Sequence, residues 1–370
     1  MSRKSGNTNS MKRFIIRHCW ILLGLLALLA KVILRHYPET VEWAYSRGLF
    51  LSIRWLFDIV LYPLPIPLIY LLIPLFLLYL GIRLKRIWQT KPNWRARLGK
   101  SIHGILSLLG GALFLFLFLW GFNYDRVPVE RQLALKMSPL DADALREELA
   151  RETELLLERR QGVPGAGDSA LIESVLPAQL ENKVRERVED WLARNGFPTT
   201  GRVRGRKIYP SGIFIRFSSA GLYFPYTGEG HYDAGLHPLD WPPVLAHELA
   251  HGYGFGGEGT CSFIAYVALS QSDDPVLAYT AHLDHWQTLA AQLRRIDPEG
   301  YMVFRGKLSR GIRADLRAIY EKLDEYPRFF PKLRYRAYDA YLKAQGIEEG
   351  YANYNRVVML VYAWRKALKM

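Results

Sequence analysis

The chain has 370 residues, a formal net charge of +14 and two cysteines. This length predicts one or two domains, and two cysteines exclude a disulfide-stabilised scaffold. The charge is uneven, because residues 1–100 carry 16 basic and 3 acidic side chains whereas the remaining 270 residues carry 33 and 32. Since the basic excess coincides with apolar segments, it indicates membrane topology, and we expect no nucleic-acid partner.

Three apolar segments predict transmembrane helices, at about 18–36, 59–82 and 104–122. The first contains Lys31, which we expect to extend toward a membrane interface. A cleaved signal peptide is the alternative for this segment, but no small-x-small cleavage site follows, so we favour an uncleaved anchor. The second segment has no charge in 24 residues, and its prolines predict that regular helix begins near Pro67, after Pro63 and Pro65.

The loops predict the orientation of these helices. The stretch 83–100 has seven basic residues and no acid, which favours a cytoplasmic position for it and for the basic N-terminus. Three crossings then place the rest of the chain outside. We therefore expect a membrane domain at 1–123 and an extracytoplasmic (periplasmic) domain at 124–370, anchored in the bacterial inner (plasma) membrane.

The outer domain has a mixed pattern. Helical spacing and an N-cap signal predict a helix over 138–160, and a second amphipathic helix ends at Gly196. Apolar residues alternate with polar ones over 202–233, which predicts two or three strands. The pattern is helical again from Pro242 onward. The expected fold class is α+β, with a mostly helical domain that contains a small β-sheet.

The most specific motif is HELAHGYGFGGEGTCSF, residues 247–263. On a helix capped by Asp240, His247 and His251 lie one turn apart and can bind one ion, and Glu248 can reach a water on that ion as general base. This pattern indicates a Zn²⁺ site. The alternative is an ordinary amphipathic helix whose two histidines bind no metal ion.

A third ligand is expected just after the motif. The glycine-rich stretch stops the helix and lets the chain fold back, which brings Glu258 to the start of the next helix. With Glu258 as third ligand, the fourth position stays open for water, as in catalytic zinc sites. Two alternatives remain: Glu258 could serve only as a favourable charge at a helix N-terminus, and Cys261 could replace it as ligand.

Other residues are weaker candidates. The segment 221–233 reads either as a strand that pairs an extended substrate or as an ordinary strand and turn. Within it, Glu229 could support the metal ligands from behind, or it could be an acidic residue in a turn. His231 is expected at the surface. The pair at 282 and 285 is expected on a solvated helix face. Near the C-terminus, Tyr354 or Arg356 could polarise a carbonyl oxygen, and we select Tyr354 as the second catalytic residue.

The chain resembles an uncharacterised bacterial membrane-protein family known only as a domain of unknown function. Four blocks carry the likeness in the same order: WGFNYDRVP (120–128), GLYFPYTGEGHYD (221–233), HELAHGYGFGGEGTCSFIAYVAL (247–269) and AYDAYLKAQGIEEGYANYNRVVMLV (337–361). The resemblance implies a zinc-peptidase-like domain related to gluzincins. Many members have Glu-Ala-Asn-Phe where this chain has Thr-Cys-Ser-Phe (260–263), so Thr260 replaces a carboxylate and Glu258 is the nearest acid at a family position.

These observations predict a membrane-anchored zinc metallopeptidase that acts outside the cytoplasm. Its expected partners are the lipid bilayer and a peptide or protein substrate near the membrane. The alternatives are a catalytically inactive cell-envelope protein that uses the groove to bind peptides, and a structural membrane-assembly protein without metal.

Overall fold

The structure is a computed structural model that describes residues 4–61, 64–89 and 94–368. The chain forms two compact units. The first comprises the described residues of 1–53, 59–126 and 225–227, and the second comprises those of 54–58, 127–224 and 228–370.

The first unit is helical. Its elements are α1 (Lys4–Leu34), α2 (Pro38–Thr40), a π-helical segment (Val41–Leu49), α3 (Phe50–Leu61), α4 (Ile69–Gln89), α5 (Trp94–Leu119) and a 3₁₀ turn (Gly121–Asp125). Residues 54–58 of α3 belong to the second unit.

Two helices of the described chain are long and apolar enough to cross a membrane, Phe14–Leu34 and Trp94–Leu119. This corrects the expected count of three. The segment 59–82 is divided between the end of α3 and α4, with non-helical backbone at 64–68 that contains Pro65 and Pro67; Pro63 lies outside the described residues. The uncharged part of α4 runs only from Ile69 to Ile82, about 21 Å at 1.5 Å per residue, against a hydrocarbon core of about 30 Å.

The helices α1 and α5 pack together at glycines. A Cβ on Gly24 would lie 2.6 Å from the Cα of Gly110, so only small residues allow this approach. His18 Nδ1 lies 3.1 Å from His103 Nε2 on one side of this crossing. On the other side, Lys31 Nζ donates a 2.6 Å hydrogen bond to Asp125. The two helices therefore run parallel.

Lys31 is buried against an acidic partner within the first unit. Its residue is 7% exposed, and its ammonium is paired with Asp125, which follows α5. A buried charge requires such a partner because desolvation is otherwise costly. The sequence could not show this partner, since 94 residues separate the two.

The second unit is mostly helical with a three-stranded sheet, as the sequence predicted. Its helices are α6 (Val129–Gln132), α7 (Ala142–Gln161), α8 (Leu180–Arg194), α9 (Trp241–Gly252), α10 (Glu258–Ser270), α11 (Pro275–Ile296), α12 (Pro298–Lys307), α13 (Arg310–Asp324), α14 (Pro331–Ala344) and α15 (Arg356–Ala367). Its strands are β1 (Arg204–Ile208), β2 (Gly221–Phe224) and β3 (Glu229–Asp233).

The sheet has the order β1-β3-β2, with β1 parallel and β2 antiparallel to β3. Glycines let α9 lie close against it. A Cβ on Gly230 would lie 2.8 Å from the Cβ of Glu248, and one on Gly221 would lie 2.6 Å from its Oε1. The sheet and α9, the helix that carries His247 and His251, are thus in direct contact at Glu248.

Residues 54–58 of α3 contact the rest of the second unit at Gly228 and Arg202. Arg54 is 2% exposed and donates a 2.7 Å hydrogen bond to the carbonyl of Gly228. Its neighbour Asp58 forms an ion pair with Arg54 at 2.7 Å and accepts a 2.6 Å hydrogen bond from the backbone N–H of Arg202. These contacts satisfy a buried guanidinium within the second unit.

The core of the second unit surrounds α10. Phe263 and Ile264 are completely buried, and Phe263 packs edge-on against Trp191 of α8 and Trp364 of α15. Burying a large apolar side chain stabilises a fold by about 1.5–3 kcal/mol. The first turn of α10, which begins with Glu258, is therefore held by a well-packed helix.

Candidate metal centre

The motif helix α9 begins as its sequence predicts. Asp240 occupies the N-cap position, although its side chain makes no capping hydrogen bond, and Pro242 and Pro243 lie in the first turn. After the helix, Gly254 has φ = +89°, a conformation that favours glycine, and the chain reverses into α10. This reversal places the start of α10 against the histidine face of α9.

Three potential ligand atoms converge at this point. His247 Nε2 lies 3.1 Å from His251 Nε2 and 3.1 Å from Glu258 Oε2. His251 Nε2 lies 3.5 Å from the same oxygen. Ligand atoms held about 2.0–2.1 Å from a tetrahedral zinc ion are about 3.3–3.4 Å apart. The donor set and its spacing therefore fit a zinc ion with one further position.

Each of these side chains is oriented by a second contact. The Nδ1–H of His251 donates a 2.8 Å hydrogen bond to the carbonyl of Phe255, which leaves Nε2 as the ligand atom. His247 Nδ1 lies 3.1 Å from Ser262 Oγ. Tyr338 donates a 2.6 Å hydrogen bond to Glu258 Oε1. Such contacts behind metal ligands fix their orientation.

Cys261 lies on the other side of His251. The thiol forms a close group with the two histidines, with all potential ligand atoms within 4.8 Å of one another. However, its Sγ is 3.3 Å from His251 Nδ1 and 3.4 Å from the Phe255 carbonyl, so it faces the nitrogen that points away from His247. Burial raises the pKa of this thiol, which disfavours the thiolate. The geometry favours Glu258 over Cys261 as the third ligand.

Glu248 lies beside the three atoms and is 6% exposed. The backbone N–H of Tyr223 hydrogen-bonds to its carboxylate, and burial raises its pKa to about 8. Its Oε2 is buried and has no hydrogen-bond partner among the described residues. A buried carboxylate oxygen without a partner is costly, so this atom has capacity for a water or a reacting group.

Tyr354 lies over the first histidine. Its ring is stacked on that of His247, with centroids 6.4 Å apart and an interplanar angle of 7°. Its hydroxyl hydrogen-bonds with Tyr338 and Glu258, and burial raises its pKa. The other C-terminal candidate, Arg356, instead forms ion pairs with Glu130 and Glu349.

The remaining histidines are outside this centre, and three of them are more buried than the sequence predicted. His231 is completely buried in β3, where Nδ1–H donates to the carbonyl of Leu222 at 3.1 Å. His282 and His285 are 3% and 2% exposed, which corrects the expected solvated helix face. His282 Nδ1 lies 2.7 Å from Glu152 Oε1, which explains how the histidine is accommodated.

Glu229 is likewise separate from the convergent atoms. It is completely buried and pairs with Arg204 on the neighbouring strand at 2.9 Å. Glu229 therefore lies in the sheet that packs against α9, and it is not an acidic residue of a turn.

Neither Tyr338 nor Ser262 was predicted as a site residue. Tyr338 is 80 residues from Glu258 and reaches it only because α14 packs at the site. It lies in the fourth resemblance block, 337–361, but 22 tyrosines in the chain provide no way to select it.

Comparison with known proteins places the chain in one family. No curated protein and no solved structure matches it. A family described as a protein of unknown function (DUF3810) matches residues 45–362, which covers most of the second unit, α3 to α5 and both histidines of the motif. The chain therefore belongs to the DUF3810 family of proteins of unknown function.

Proposed function

We propose that the chain is a membrane-anchored zinc metallopeptidase that hydrolyses peptide bonds outside the cytoplasm. The observation that supports this most is the spacing of three donor atoms, His247 Nε2, His251 Nε2 and Glu258 Oε2, at 3.1–3.5 Å from one another. A random pair of helical histidines would not also meet a carboxylate from a second helix at tetrahedral spacing.

Each residue of the site would have a separate role in hydrolysis. His247, His251 and Glu258 would hold the ion, which when bound supplies Lewis acidity toward a carbonyl and a water. Glu248 would accept the proton of the attacking water at Oε2 and deliver it to the leaving amine. A pKa of about 8 suits both the acceptance and the return of a proton near neutral pH. Tyr354 is the candidate donor to the developing oxyanion.

An extended peptide is the substrate that the sheet best accommodates. β2 is an edge strand of the described sheet and pairs only with β3. Tyr223 of β2 contacts the Glu248 carboxylate through its backbone N–H, and Leu222 is 42% exposed. A peptide that added to this edge would lie beside the general base, with main-chain hydrogen bonds supplying affinity.

Helix direction supports an outer position for residues 124–370. The relevant helix is α5, which begins at Trp94 within the basic stretch 83–100 and ends at Leu119. With that basic stretch in the cytoplasm, a crossing by α5 would leave residues 124–370 outside.

The function is tested by metal content and peptide turnover of the purified full chain. We expect about one equivalent of zinc by elemental analysis, together with hydrolysis of a mixed peptide library that a chelator abolishes and added zinc restores. Bound zinc without any cleavage would favour the catalytically inactive, peptide-binding alternative. A chain that retains no zinc after purification in zinc-containing buffer would refute the metal site.

A further inference from the structure

A surface on the second unit combines exposed aromatic and apolar groups with positive charge. Its apolar members are 45–77% exposed and come from two segments of the chain: Phe217, Phe329, Phe330 and Leu333. Its basic members come from the same two segments: Arg216, Arg328, Lys332, Arg334 and Arg336. We call these nine residues the aromatic-basic patch.

The two segments form one surface because they contact each other directly. The Phe329 N–H donates a 2.7 Å hydrogen bond to the carbonyl of Arg216. The rings of Phe217 and Phe329 pack edge-on with centroids 5.8 Å apart. Arg334 donates a 2.7 Å hydrogen bond to the carbonyl of Ser218. The patch is therefore a fixed arrangement and not a chance proximity of two loops.

The positive charge of the patch is not neutralised by acidic neighbours. Residues 326–338 contain four basic side chains and no acidic one. The flanking acids Glu325 and Asp339 pair with Lys322 and Lys343, each at 2.8 Å. Within the described chain, no ion pair forms at the four basic residues of this stretch, Arg328, Lys332, Arg334 and Arg336. The charge remains available to a partner.

The first turns of α14 are unusual for a helix of a folded unit. Residues 327–337 are exposed apart from Arg334, whereas Leu342 near the other end is completely buried. Phe330 is 77% exposed and Leu333 is 67% exposed. A helix start that carries large apolar groups interleaved with cations has the composition of an interfacial membrane segment.

We propose that the aromatic-basic patch binds the surface of an anionic lipid bilayer, with Phe330 and Leu333 inserted at the level of the headgroups. Cationic side chains are attracted to anionic lipids, and aromatic rings are favoured at the interface between hydrocarbon and water. The chain itself carries two helices apolar enough to cross a bilayer, so a bilayer is at high local concentration wherever the protein resides. This binding does not depend on hydrolysis at the metal centre.

The test measures how accessible position 330 is in the full chain. Phe330→Cys is prepared in nanodiscs of phosphatidylcholine alone, and in discs in which a third of the lipid is phosphatidylglycerol. The labelling rate with a membrane-impermeant maleimide is then compared. The unsubstituted chain gives the background from Cys19 and Cys261, of which Cys261 is buried. Met302→Cys on α12, at a residue 60% exposed, is the matched control site.

We expect labelling at position 330 to slow about fivefold or more in the anionic discs, and to recover at high salt because screening weakens the attraction. Labelling at position 302 should be equal in both discs. Arg328, Lys332 and Arg336 replaced together by Gln should remove the lipid effect. Replacing Arg295, Arg313 and Arg317, which are exposed on other helices, should leave it intact. Equal rates at position 330 in the two lipids, whether fast or slow, would overturn the proposal.

Discussion

Tyr338 donates a 2.6 Å hydrogen bond to the Oε1 of Glu258, whose Oε2 is the atom that faces both histidines. Oε1 thus accepts from Tyr338 whereas Oε2 faces two imidazoles, and Tyr354 is a further hydrogen-bond partner of this carboxylate. A carboxylate held in this way presents one defined lone pair to an ion, which is how residues behind metal ligands set their orientation.

Tyr338→Phe should therefore weaken zinc binding without unfolding the chain. Removal of a hydrogen-bond partner of a metal ligand typically lowers metal affinity about 10–100-fold. The measurement is competition with a chromophoric zinc chelator, and circular dichroism monitors the fold. Tyr320→Phe, at an exposed tyrosine on α13, is the matched control and should leave the affinity unchanged. Equal affinities in the two variants would mean that Tyr338 has no role in orienting Glu258.

Glu248→Gln should separate metal binding from hydrolysis. The amide has the shape of the carboxylate but cannot accept a proton, and general-base catalysis contributes about 10²–10⁴-fold to rates. We expect zinc content equal to that of the unsubstituted chain and peptide turnover reduced by that factor. Glu154→Gln, at an exposed glutamate of α7, should retain full activity. If Glu248→Gln turns over peptide at the original rate, another residue is the base.

Substitutions at three of the four candidate ligands should identify the residues that bind the metal. His251→Ala and Glu258→Gln should each lose zinc, because each removes one of three converging donors. Cys261→Ser should retain it, because Cys261 Sγ faces His251 Nδ1, the nitrogen that donates to Phe255. Elemental analysis of the purified chains is the measurement. Loss of zinc in Cys261→Ser together with retention in Glu258→Gln would reverse our choice of third ligand.

The motif region could be predicted well because its geometry is local. The spacing of His247 and His251 requires only one helical turn, and the glycine-rich reversal places Glu258 eleven residues after His247. Periodicity also predicts a mostly helical second unit with two or three strands over 202–233, because each pattern reports which face of a segment is buried, and the structure has three strands.

Contacts between distant segments could not be predicted in this way. The sequence pattern predicts that His282 lies on a solvated helix face, but in the structure it contacts Glu152 of α7, which is 130 residues earlier in the chain. The second apolar segment has no charge over 24 residues, yet its prolines divide it between two helices, and only α4 continues toward Arg83. Burial of a polar residue depends on partners that a linear pattern does not reveal.

The buried cluster of Glu152 and the two histidines of α11 should make the fold acid-sensitive. Burial lowers the pKa of His285 from 6.5 to about 3. Burial alone would raise the pKa of Glu152, but its hydrogen bond with His282 and the charge of Arg365 outweigh this and lower the pKa to about 2. Both groups bind fewer protons in the folded chain than in the unfolded chain, so the free energy of unfolding decreases as the pH falls. The loss begins near pH 6.5 with His285 and continues below pH 4.5 with Glu152.

His285→Phe should isolate the upper part of this pH range. Phenylalanine can keep the packing against the Tyr266 ring, whose centroid lies 4.4 Å from that of His285, but it does not titrate. Thermal unfolding of the full chain, followed by near-ultraviolet circular dichroism, should show a smaller decrease in melting temperature between pH 6.5 and 4.5 than in the unsubstituted chain. The shallower slope of the variant should persist to about pH 3, where His285 gains its proton in the folded chain, while Glu152 adds a decrease below pH 4.5 in both proteins. Identical pH profiles across the whole range would show that the pKa of His285 is the same in the folded and the unfolded chain.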